Sequence, residues 1–243
     1  MKKSLLLFML LASAGSIFAQ QMKPEETEDW SRQPSVVTPG NAGEPPSDAI
    51  ILYHGQQDAV NWVHENLESI KWIADSVLTV KPGTGAVRTV RSFGDCQLHI
   101  EWRTPSVVVG TGQGRGNSGI FLMGKYELQV LDSYGNETYY NGQAGSIYKQ
   151  FIPLANASRK PGEWQTYDVI FMAPRFNPEG QLLSPAYFTV LHNGVLIQNH
   201  VGLRGPTEYI GIPVYKAHED KLPLLLQDHG NPVSYRNIWI REL

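Results

Sequence analysis

The sequence predicts an all-β chain, a two-sheet jelly-roll β-sandwich with little helix. Three observations predict it. Short apolar runs alternate with polar residues at the period of a strand. Turn residues recur between those runs, with Gly 23 and Pro 16 among 243 residues. No stretch sustains a helical period, and Asp58 to Ser69 is the one weak helical candidate. Apolar residues at 42% and charged residues at 18% support a packed core and exclude a wholly disordered chain.

The elements follow in order. Asp48 to Tyr53 opens the body with a β-rich run, and Lys71 to Val80 follows with a turn inside it. Gln97 to Arg103 alternates cleanly, with Leu98, Ile100 and Trp102 on one face and His99, Glu101 and Arg103 on the other. Ile120 to Met123 and Tyr126 to Leu131 come next. Trp164 to Met172, Tyr187 to Leu191, Val195 to Gln198, Leu222 to Gln227 and Asn237 to Arg241 complete the set. His192-Asn193-Gly194 marks a tight hairpin, and Asn177-Pro178-Glu179-Gly180 a second turn.

The N-terminus reads as an address. Met1-Lys2-Lys3 is a positive n-region, Leu5 to Leu11 an apolar h-region, and Ser16 to Ala19 ends in a small residue before a cut. Residues 1–19 are therefore expected to be a bacterial secretory signal peptide, sending the chain to the periplasm or outside the cell. The h-region is too short to span roughly 30 Å of hydrocarbon, so no permanent membrane anchor is expected. Residues 20–47 hold Pro24, Pro34, Pro39, Pro45 and Pro46 with Glu25, Glu26, Glu28 and Asp29, and read as a flexible leader. Residues 48–243 form a single β-sandwich domain in this reading. A net charge of −3 offers no polybasic surface for nucleic acid. The single cysteine, Cys96, rules out an internal disulfide framework and any multi-cysteine metal site.

Three strands offer polar faces. His99, Glu101 and Arg103 share one, Glu127 and Gln129 another with Asp132 at the strand end, and Gln227 and His229 a third. For an arbitrary antiparallel strand such a face is a solvated outer surface. Three together predict the floor of one cleft, with His99 or Glu101 beside Glu127 and His229. The glycine-rich loop Gly110 to Gly119 precedes the second strand, and its backbone suits close approach to a ligand. No helix follows it, which argues against a phosphate site. The candidate acid–base residues are Glu127, Glu101 and His229, with Glu127 first. Arg103, Arg115, Asn117, Gln129, Asp132, Gln227 and His99 suit substrate hydroxyls or an anionic oxygen. Tyr148 and Tyr134 suit stacking on a sugar ring. No cofactor is required by the sequence. A divalent metal would draw its ligands from these carboxylates, the amide oxygens and His229.

Several runs then carry a likeness. They are Val80 to Thr89, Phe93 to Pro105, Gly112 to Gly124, Tyr126 to Asn136, Gly162 to Asp168 and Leu225 to Val233. In this order they resemble the 3-keto-disaccharide hydrolase family from about Ile50 to Leu243. The resemblance implies a concanavalin-like β-sandwich and secreted chemistry on an oligosaccharide or glycoside. Cys96 stands where the resemblance implies an aromatic residue, a change of packing. The implied reaction removes the C2 proton of a sugar oxidised at C3, expels the group at C1 and adds water. It needs a base, a partner for the enolate and an acid for the leaving oxygen. Two alternatives remain open at this point. One is an ordinary glycosidase with Glu101 and Glu127 as paired carboxylates, about 5–5.5 or 6.5–9.5 Å apart. The other is a non-catalytic carbohydrate-binding module.

Overall fold

The computed structural model describes residues 22–41 and 43–243. The expected signal peptide lies outside them. The chain divides into two units at Val36/Val37. In the first, one turn of 3₁₀-helix spans Pro24–Thr27, with no buried residue.

Among the described residues, the second unit holds fifteen strands. The larger sheet contains β1 (Ile50–Tyr53), β3 (Ile73–Ala74), β4 (Leu78–Thr79), β6 (Cys96–Arg103), β9 (Gln165–Met172), β12 (Tyr187–His192), β13 (Val195–Gly202) and β15 (Ser234–Glu242). Its order is β13-β12-β9-β6-β15-β4-β3, with β1 also on β15. The smaller sheet orders β2 (Trp62–His64), β5 (Val87–Phe93), β14 (Leu222–Leu226), β7 (Ser118–Leu122) and β8 (Tyr126–Val130) as β2-β5-β14-β7-β8. A separate hairpin pairs β10 (Arg175–Phe176) with β11 (Leu182–Ser184) around the turn expected at Asn177 to Gly180.

All named ladders are antiparallel, as the short strands and tight turns require. The sheets pack face to face over one core. Leu98, Ile100, Trp102, Tyr167, Val169 and Phe171 enter it from one sheet, and Ile120, Leu122, Tyr126, Leu128 and Val130 from the other. The Tyr167 hydroxyl crosses the gap to donate to the Gln129 carbonyl oxygen at 2.9 Å, so even this polar contact is satisfied in the interior. Cys96 is buried at the start of β6.

The expected strand runs become strands, with Lys71 to Val80 forming β3 and β4. Four strands were not anticipated: β2, β5, β10 and β11. The stretch from Asp58 to Ser69 is no α-helix. It divides into a 3₁₀ segment, Gln56–Asn61, and β2, which turns Trp62 and His64 inward.

Residues 37–47, assigned to the leader on composition, make specific contacts with the body. Asn237 Nδ2 and Trp239 Nε1 donate to the Gly43 carbonyl oxygen at 2.6 and 3.4 Å. Prolines and acids give this segment no core of its own, but its backbone carbonyl fills a hydrogen-bonding role on β15.

Candidate functional site

Strand β8 is the outermost strand of the smaller sheet. Tyr126, Leu128 and Val130 face the core, so the strand's period turns Glu127 and Gln129 to the opposite face. On the adjacent β7, Ser118, Ile120 and Leu122 point inward and Gly119 and Phe121 outward. Gly119 pairs with Gln129, and Phe121 with Glu127. Beyond β14, Gln227 continues the ladder by donating its backbone N–H to the Gly119 carbonyl oxygen at 3.0 Å.

These side chains line a cavity of about 410 Å³ with Asn117, Tyr148, Thr207, Tyr209 and His229. The size suits one small ligand. Segment 145–148 forms its far wall by clasping the free edge of β8. Gly145 N–H donates to the Gln129 carbonyl oxygen, Gln129 N–H to that of Ser146, and Tyr148 N–H to that of Glu127, at 3.0, 3.0 and 3.2 Å. Thr207 holds the other end, its hydroxyl oxygen accepting from Glu127 N–H at 3.0 Å.

Glu127 is 4% exposed and is, among the described residues, the sole carboxylate lining this cavity. Burial without a cationic partner disfavours the charged form and pushes its pKa up to about 8. The Gln129 amide lies 3.0 Å from Glu127 Oε1. With its nitrogen toward Glu127 it donates to that oxygen and to the Ser118 carbonyl. Gly119 provides the room: a Cβ there would stand 2.6 Å from Glu127 Oε1 and 2.7 Å from the Phe121 ring.

Asn117 is fixed by donating Nδ2 to the Gln113 carbonyl oxygen at 2.7 Å. His229, at the rim, also lines an adjoining cavity. Among the described residues, no group of three or more His, Cys, Asp or Glu side chains could hold a metal ion. Oxygen and nitrogen donors in the cavity come from Glu127, His229 and the amides.

The structure thus gathers Glu127, His229, Asn117, Gln129, Gln227 and Tyr148. It separates the rest. His99, Glu101 and Arg103 lie on β6 in the larger sheet, on its face away from the core, so the expected three-strand floor is a two-sheet division. Glu101 accepts from Arg236 Nε at 2.6 Å and Asn237 Nδ2 at 2.9 Å. His99 Nδ1 sits 2.6 Å from Asp168 Oδ1, with its ring stacked on Trp239. Arg103 lies 4.6 Å above the Trp164 ring. Paired carboxylates at Glu101 and Glu127 are ruled out by this geometry, because the two strands turn them to opposite sides of the core.

Burial pulls the His99 imidazolium down, but Asp168 and Glu101 outweigh it and hold it up at about 9. Burial likewise raises Glu101, yet hydrogen bonds from His99, Asn237 and Arg236 bring it down to about 2. These groups are neutralised by one another.

Arg115 and Asp132 are also apart from the cavity. Arg115 Nε donates to Asp132 Oδ2 at 2.7 Å, and its guanidinium reaches the Tyr134 carbonyl oxygen at 3.0 Å. They tie the glycine-rich loop to the end of β8. Tyr134 does not line the cavity.

Sequence reasoning missed Phe121, Thr207 and Tyr209. Extending the alternation of β7 back to Ser118 points to Phe121. The loop residues 207 and 209 carry no periodic signal, and only the fold brings them to β8.

An all-β sandwich with a buried, unpaired carboxyl in a polar cleft defines a class suited to proton transfer on a small polar ligand. The chain belongs to the family described as the 3-keto-alpha-glucoside-1,2-lyase-like domain, which matches residues 46–241. It is therefore a glycoside-directed enzyme of hydrolase or lyase type. It is similar to a crystal structure from Parabacteroides distasonis ATCC 8503 named as a candidate glycosyl hydrolase. Identity is 49% over 91% of this chain and 97% of that one, with a TM-score of 0.87. A second candidate glycosyl hydrolase from the same organism shares the fold at 20% identity and a TM-score of 0.57, covering 81% of this chain and 94% of the other. No curated protein matches the sequence.

Proposed function

We propose that the protein is exported and cleaves glycosides whose sugar carries a ketone at C3. The observation that carries this reading is Glu127, a carboxylate of the cavity with its pKa raised to about 8 by burial.

A ketone at C3 acidifies the hydrogen at C2. Glu127, ionised, takes that proton, and the C–H electron pair becomes the enolate of C3. The enolate collapses to restore the ketone, forms a C1–C2 double bond and breaks the C1–O bond. The leaving oxygen acquires a proton, for which His229 at the cavity rim is the candidate donor. Water then adds its hydroxyl to C1 and a proton to C2. One base suffices because no glycosyl–enzyme bond forms. Burial favours this proton transfer, since a carboxylate with a pKa near 8 is a stronger base than one near 4. The amides of Asn117, Gln129 and Gln227 provide donors for the enolate oxygen and the ring hydroxyls.

The test is incubation of purified protein with a glucoside and its 3-keto counterpart in heavy water. Aglycone release from the keto form alone, with deuterium at C2 of the product, is the expected result. Release from the parent glucoside, without deuterium at C2, overturns the reading.

A further inference from the structure

The cavity does not end at His229. Tyr148, Tyr209 and His229 are shared with a second cavity of about 470 Å³, also lined by Gln113, Gly114, Tyr139 and Lys149. We propose that this second cavity is the leaving-group subsite and that it takes an aromatic aglycone bearing an anionic group. This rests on the reaction read above.

The chemistry of the lining decides the class. Three tyrosine rings surround one ammonium group: Lys149 Nζ lies 4.2, 5.7 and 5.8 Å from the ring centroids of Tyr209, Tyr139 and Tyr148. It donates one hydrogen bond, to the Tyr209 carbonyl oxygen at 2.7 Å. An ammonium has three donors, so two remain for a ligand. Among the described residues, no acidic residue lines this cavity and Lys149 enters no ion pair.

A second sugar needs partners for several hydroxyl groups, and three polar side chains of this lining, Tyr139, Tyr148 and Gln113, are already engaged with protein groups. The Tyr139 and Tyr148 hydroxyls bond each other at 2.6 Å. The Gln113 amide nitrogen donates to Thr138 Oγ1 and the Gly142 carbonyl oxygen, at 3.0 and 2.8 Å. What stays open is aromatic surface and positive charge. A flat ring stacks on the first, and a carboxylate meets the second. His229, common to both cavities, then stands at the bond between sugar and aglycone.

The test compares kcat/KM on the 3-keto-glucosides of 4-hydroxybenzoate and of its neutral amide, in the wild type and in Lys149→Gln. The wild type is expected to favour the carboxylate by roughly 10-fold, the scale of one charge-assisted hydrogen bond, and Lys149→Gln to lose that preference. The double ratio cancels differences in leaving-group basicity. An equal preference in both proteins, or none in the wild type, overturns the proposal. Calorimetric binding of free 4-hydroxybenzoate and its amide to the wild type needs neither turnover nor a variant. Tighter binding of the acid supports the subsite, and equal binding overturns it. Methyl 3-keto-glucoside, which lacks the aromatic group, reports on the reaction alone.

Discussion

On β6, His99, Glu101 and Arg103 alternate with Leu98, Ile100 and Trp102. On β8, Glu127 and Gln129 alternate with Tyr126, Leu128 and Val130. Both strands turn the apolar set into one core and the polar set away from it. On β6 every buried charge has a partner, and Glu101 falls to about 2 while His99 rises to about 9. On β8 the carboxylate has burial without a cation, and Glu127 rises to about 8. Paired charges fix one ionisation state and hold strands together. An unpaired buried carboxyl costs stability and remains able to exchange a proton near neutral pH.

The comparison breaks most sharply at Glu127. Glu127→Gln is expected to fold and to lose at least about 100-fold in turnover on a 3-keto-glucoside, measured in steady state. Wild-type kcat/KM should rise with pH to a midpoint near 8, as the base ionises. A fall across that window would make Glu127 the acid.

Gly119→Ala comes next. Its Cβ would meet Glu127 Oε1 at 2.6 Å and the Phe121 ring at 2.7 Å, so one must move. Turnover should drop about 10-fold, with stability down by about 1–3 kcal/mol. Unchanged kinetics would show that the carboxyl's placement is not critical.

Stability against pH separates the faces by sign. Glu127 has a raised folded-state pKa, so its contribution is greatest below the unfolded value near 4.5 and declines as pH rises through 8. The slope is at most about 1.4 kcal/mol per pH unit. Glu101, with a depressed value, contributes above 4.5 and loses that contribution as pH falls toward 2. His99 contributes fully below 6.5 and loses it as pH rises through 9. Urea unfolding at pH 5 and pH 8 should show Glu127→Gln gaining on the wild type at the higher pH. Parallel behaviour of the two proteins would refute the unpaired state of Glu127.

The smallest effect belongs to β6. Glu101→Gln takes a carboxylate from His99 and Arg236, and because His99 keeps Asp168 and Arg236 reaches solvent the loss should be about 1–3 kcal/mol. Its kcat/KM should stay within about two-fold of wild type. A large fall in turnover without unfolding would return Glu101 to the chemistry.

The period-two pattern made these faces legible, and with them most strands and the first-choice carboxylate. Which sheet each strand joins was not legible, because β6 and β8 carry the same local pattern and differ only in their distant partners. Arg236 and Asn237, which neutralise Glu101, lie more than a hundred residues away in sequence. Strand β5 escaped notice because Val90 points outward between Arg88 and Arg91 and breaks the alternation. Tyr209 and Thr207 reach the cavity from an aperiodic loop.

The clasp of residues 145–148 on β8 has a consequence for solubility. An uncovered outer strand offers a row of unpaired amides and carbonyls to any extended chain it meets. Here the segment that supplies Tyr148 to the cavity also occupies those groups at Glu127 and Gln129. Loosening it therefore exposes a template for intermolecular strand addition in the same event that opens the cavity wall, so variants that widen the cleft by shortening this segment should aggregate before they gain substrate range.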